Sequence, residues 1–137
     1  MRAFLIITGL VLANLVRAED MLVIASPNVP VSSITTSQLA DIYTAQKKFW
    51  GNNLQVVPVN REASSELREQ FSRAVFDMST RELGAYWNRL TFEGKLPPII
   101  QQSDQAVLGF VRSVPGAIGY ISSDQQPVGV KVLLRLP

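Results

Sequence analysis

Apolar and polar positions along this chain alternate between a strand rhythm and a helix rhythm. Met21-Leu22-Val23-Ile24-Ala25-Ser26 is a continuous apolar run, the pattern of a strand covered on both faces. Pro27-Asn28-Val29-Pro30 ends it in a rigid turn. Leu39, Ile42 and Tyr43 then fall on one face of a short helix that Thr35, Thr36 or Ser37 can cap. A loop from Lys47 to Asn53 leads into a second strand, Leu54-Gln55-Val56-Val57-Pro58-Val59. A helix follows from about Ser64 to Val75, with Leu67, Phe71 and Val75 along it.

Ser79-Thr80-Arg81-Glu82 fits a capping box, and Leu83, Tyr86, Trp87 and Leu90 follow at helical spacing as one apolar stripe. Gly94 to Pro98 interrupts the chain before a short strand at Ile99-Ile100. Ser103 caps a further helix whose buried face is Val107, Phe110, Val111 and Val114. Pro115-Gly116 turns the chain into a compact strand over Ala117–Ile121, and Val128–Leu134 supplies a last one. Strands alternating with helices predict an α/β protein, a three-layer sandwich with a mostly parallel central sheet. No internal repeat, low-complexity segment or interdomain linker interrupts it.

Residues 1–18 read differently from the rest. Met1-Arg2 is a basic start, Ala3 to Val16 is almost wholly apolar, and Val16-Arg17-Ala18 suits a signal peptidase. The expectation is therefore a cleaved signal peptide over 1–18, a single domain over 19–137, and no membrane span after cleavage. The formal charge of +2 then changes meaning. Arg2 and Arg17 would leave with the leader, so eleven bases would face eleven acids. That balance, with no run of basic residues interleaved with aromatics, argues against nucleic acid as a partner.

The residue inventory narrows the chemistry. With no cysteine, stability in an exported setting must come from the core and not from disulfides. With no histidine, Ser-His-Asp and Cys-His catalysis and the usual zinc sites are excluded. No two acids are spaced as a catalytic pair, so the reading is a non-enzyme with no cofactor and no metal.

One junction stands out. The second strand delivers Arg61, with Ser64 and Ser65, to the start of a helix, where free backbone N–H groups and the macrodipole favour an anion. Arginine adds a planar fork of donors suited to phosphate or carboxylate. Arg68, one turn on, is a further candidate ligand. Each has a plainer reading. Arg61 can pair with Glu62, Glu66 or Asp104, a serine can simply cap the helix, and Arg68 can decorate its solvated face.

Several segments in order resemble the phosphate-binding proteins of ABC transporters, which have the type II periplasmic binding-protein fold. They are Leu22 to Ser33 with Leu39-Ala40-Asp41-Ile42-Tyr43, Trp50-Gly51, Val56-Val57-Pro58-Val59-Asn60-Arg61 with Phe71, and Pro115-Gly116-Ala117-Ile118-Gly119-Tyr120. The resemblance implies one lobe of that two-lobed fold, a periplasmic location, and phosphate or another oxyanion as ligand of Arg61 and Ser65. It also carries a departure. Where the family has serine-glycine-threonine, this chain has Ser65-Glu66-Leu67, a carboxylate and an apolar side chain at positions that would hold the anion.

Two functions stay open on this basis. One is an exported single-lobe binding module with weak or vestigial phosphate binding. The other is an envelope interaction or structural module that kept the fold and lost the ligand, with an envelope protein or a second copy as partner. Trp50, in a loop flanked by glycine and asparagine, is the candidate partner contact.

Overall fold

The computed structural model describes residues 19–137, so the leader expected over 1–18 lies outside the described residues. Five strands form one sheet: β1 (Met21–Ala25), β2 (Val57–Arg61), β3 (Ile99–Gln101), β4 (Ala117–Ser122) and β5 (Lys131–Leu136), in the order β3-β2-β4-β1-β5. β2 pairs in parallel with β3 and β4, while β1 is antiparallel to both β4 and β5. Four strands therefore share a direction and β1 alone runs against them. The helices are α1 (Thr36–Tyr43), α2 (Glu66–Phe76), α3 (Thr80–Phe92) and α4 (Asp104–Ser113). The expected α/β three-layer sandwich is what the chain adopts. No helix among the described residues is long and apolar enough to cross a membrane.

The strand period divides β1 between two cores, which is why its run is apolar without a break. Met21, Val23 and Ala25 face Leu39, Ile42 and Tyr43 of α1 and Phe71 of α2, together with Ile118 and Tyr120 of β4. Leu22 and Ile24 face Val107 and Val111 of α4, with Val59, Ala117 and Ile121. Gly119 lets α4 approach β4 closely, since a Cβ there would stand 2.9 Å from Val107 Cγ1. Leu83, Trp87 and Leu90 of α3 form a third cluster with Ala45, Phe76 and Met78. This outer cluster joins the main core through the Trp87 indole N–H, which donates to the Tyr43 carbonyl at 3.1 Å.

Each helix start uses a cap that the sequence offered, but the reciprocal box expected at Ser79–Glu82 forms only its first half, the Glu82 N–H donating to Ser79 Oγ. Thr35 closes a reciprocal box with Gln38 on α1, and Ser65, Ser79 and Ser103 each accept a first-turn amide of α2, α3 and α4. Two strand boundaries differ from expectation. Residues 54–56 pair back on the preceding loop, with Val56 N–H donating to Lys48 O and Trp50 N–H to Leu54 O, so β2 begins only at Val57. The last strand starts at Lys131, after a turn at Gly129 with φ +79° that leaves Val128 exposed.

The candidate oxyanion site at the end of β2

β2 ends in Asn60-Arg61, and what lies beneath them decides how they are held. Phe71 of α2 stacks on Tyr120 of β4 with ring centroids 3.9 Å apart and 5° between planes, and Tyr43 meets Phe71 edge-on at 4.9 Å. The Tyr43 hydroxyl donates to Val59 O at 2.7 Å, fixing α1 to the strand just ahead of the site. The Tyr120 hydroxyl donates to Asn60 Oδ1, which also accepts the Arg61 N–H at 3.0 Å. Burial pushes both phenols well above their ordinary range, so they remain neutral donors.

On this platform the Arg61 guanidinium is already occupied. Nη1 donates to Asp104 Oδ1 at 2.7 Å, while Nε and Nη2 donate to the two Glu62 oxygens at 3.2 and 3.3 Å. The Arg61 and Asp104 side chains are only 13% and 15% exposed, so water screens this pair little. Asp104 is the first residue of α4, where a carboxylate suits the helix dipole, and its other oxygen accepts the Ser122 N–H at 3.3 Å. Glu62 is held below the usual glutamate range, chiefly by its hydrogen bonds from Arg61.

The other expected residues divide. Ser65 is buried and spends an acceptor site on the Arg68 N–H at 3.2 Å, as a cap does. Arg68 turns back along the helix start and donates to the Arg61 carbonyl at 2.9 Å. Arg61, Ser65 and Arg68 are thus brought together, while Ser64 sits exposed on the turn between β2 and α2. Glu66 is exposed at the first position of α2, and half-buried Leu67 packs against the main core. The Arg61 guanidinium therefore stands between two carboxylates, those of Glu62 and Asp104.

Trp50 does not lie at the surface, as a partner anchor would. It is 3% exposed and its indole N–H donates to Gly116 O at 3.0 Å. The exposed aromatic of that loop is its neighbour Phe49, at 55%. Asn60, Tyr120 and Asp104 shape the site without a local signal that singled them out as a group. Of these Asp104 alone was legible, as one of three carboxylates offered as partners for Arg61. Among the described residues no group of three or more carboxylate, histidine or cysteine side chains is placed to hold a metal ion.

No protein-family model matches the chain. Solved structures do. A candidate phosphate ABC transporter substrate-binding protein of Clostridium perfringens, solved with bound phosphate, superposes with a TM-score of 0.69 at 25% identity. An ABC-type phosphate transport receptor of Vibrio cholerae gives 0.67 at 21%, and PstS of Borrelia burgdorferi gives 0.67 at 20%. The fold is that of one lobe of these phosphate-transport substrate-binding proteins. Each match covers 84% of this chain but only 44%, 45% and 46% of the respective partner, so the chain spans less than half their length.

Proposed function

We propose that the described domain is an exported, periplasmic single-lobe binding module that takes phosphate or a similar oxyanion weakly, without catalysing a reaction. The observation that carries this reading is the meeting of Arg61, Ser65 and Arg68 at the β2–α2 junction. The likeness to phosphate-transport proteins supports it, as does the leader-like sequence of residues 1–18. Weakness follows from the carboxylates. An incoming dianion must compete with Glu62 and Asp104 for the guanidinium and approach past Glu66, each contact repulsive in a partly dry site.

A second reading is favoured by the same carboxylates. If Glu62 and Asp104 satisfy Arg61 permanently, the arginine is a structural brace and the lobe serves protein contact instead. Calorimetric titration with phosphate, beside Arg61→Ala, separates the two. Saturable binding that disappears in the variant supports the oxyanion module. Absence of heat from either protein rejects it in favour of the interaction module.

A further inference from the structure

At the other end of β2, away from Arg61, a groove of about 400 Å³ opens where Val57 and Pro58 enter the sheet. Its walls come from the loop after α1, the turn after α3 and the first residue of β3. Two of its lining side chains are exposed apolar groups, Phe49 at 55% and Leu96 at 85%. The charged side chains lining the groove are Lys47, Lys48 and Lys95, with no carboxylate among the lining. Glu93 lies in the adjoining turn, outside the lining.

A third property comes from the sheet. β3 is an edge strand that pairs only with β2 among the described residues, and Ile99 and Ile100 are 41% and 46% exposed. An edge of this kind has backbone donors and acceptors ready for an added strand. Isolated surface apolar residues are commonplace, but exposed Phe49, Leu96 and Ile99 line one concavity beside an open edge, as a docking surface does.

We propose that this groove and the β3 edge receive an extended peptide segment of a partner protein, bearing apolar side chains interspersed with Asp or Glu. Strand addition to β3 supplies main-chain hydrogen bonds. The groove takes alternate apolar side chains, and the three lysines select acidic neighbours through charge complementarity. The concave, sheet-edged shape favours such a segment over a flat lipid surface. Three lysines on the same patch disfavour a two-fold pairing of this face with itself.

The test is selection from a random dodecapeptide display library on the purified protein, followed by backbone NMR titration with the leading peptide. Enriched sequences should combine acidic and apolar residues, and the peptide should shift the amides of Ile99 to Gln101 and the Lys47–Phe49 loop. Reversing exposed Lys47 and Lys48 and half-buried Lys95 to Glu should cut affinity by about tenfold or more while circular dichroism stays native, because none of the three belongs to the core. Leu96→Ser should weaken binding without reversing charge. No enrichment, enrichment without acidic residues, or binding indifferent to the lysine reversal would overturn the proposal. So would self-association of the protein through this face in sedimentation, or binding to anionic phosphatidylglycerol vesicles that the same lysine reversal abolishes.

Discussion

Arg61 donates to Asp104 across 2.7 Å, tying the carboxyl end of β2 to the first residue of α4 on the far side of the sheet. The pair is mostly sheltered from water, so removing one member leaves the other charged and poorly solvated. Arg61→Ala or Asp104→Asn should each lower stability by about 1–3 kcal/mol in urea denaturation. The double variant should lose less than the sum of the singles. An additive result would mean that the two side chains do not depend on each other.

Glu62 competes for the same guanidinium from the adjacent position in sequence. Glu62→Gln removes that competing charge and keeps the shape. It should raise phosphate affinity about three- to tenfold at low salt if the β2–α2 junction is an oxyanion site. Glu66→Gly should act in the same direction by clearing the helix start. Unchanged titration curves in both variants would count against the binding module.

Acid should weaken the fold through two glutamates. Hydrogen bonds from Arg61 hold Glu62 below its ordinary range, and the Thr80 backbone N–H, at 2.8 Å from Glu69 Oε2, does the same for Glu69. Depressed carboxyl groups contribute stability that is complete above the unfolded value of about 4.5 and is lost as pH falls through the lower folded value. The melting-temperature gap between wild type and Glu62→Gln should therefore be full at neutral pH and close below pH 4.5. A gap independent of pH would show that the stabilisation is not tied to ionisation of Glu62.

Gly116 has φ +77°, and a Cβ there would stand 2.0 Å from the Gln55 carbonyl oxygen. Its own carbonyl accepts both the Trp50 indole N–H and the Val57 N–H. Gly116→Ala combines left-handed strain with a clash against backbone, so it should destabilise by about 2 kcal/mol or more, or prevent folding. Gly51→Ala, where a Cβ meets open space, is the matched control and should be nearly neutral.

Phe71 carries the packing beneath the site through its stack on Tyr120 and its edge contact with Tyr43. Phe71→Ala should cost about 3–5 kcal/mol by equilibrium unfolding. Phe71→Leu should recover much of that stability, but without the ring that holds Tyr120 flat it should broaden the Asn60 and Arg61 amide resonances.

Local rules carried far in this chain because neighbouring residues satisfied them. The unbroken apolar run at Met21–Ala25, the serine caps at 65, 79 and 103, and the helical stripe of Leu83, Trp87 and Leu90 each act over one or two turns or one strand. The α/β class followed from their alternation. What periodicity could not carry was pairing at a distance. The reversed direction of β1 depends on partners about a hundred residues away in β4 and β5. The late start of β2 depends on Val56 bonding to Lys48. At the site, sequence alone placed Arg61, Ser64, Ser65 and Arg68 near one helix start, of which Ser64 stays exposed on the turn, and offered Glu62, Glu66 and Asp104 as rival partners for the arginine. Tertiary structure chose Glu62 and Asp104, because α4 packs across the sheet and sets its first carboxylate beside the end of β2. It also drew Trp50 inward, because a carbonyl 66 residues away was positioned to accept its indole N–H. Short-range hydrophobic spacing and capping thus specified the elements, whereas burial and long-range hydrogen bonding decided which polar side chains meet.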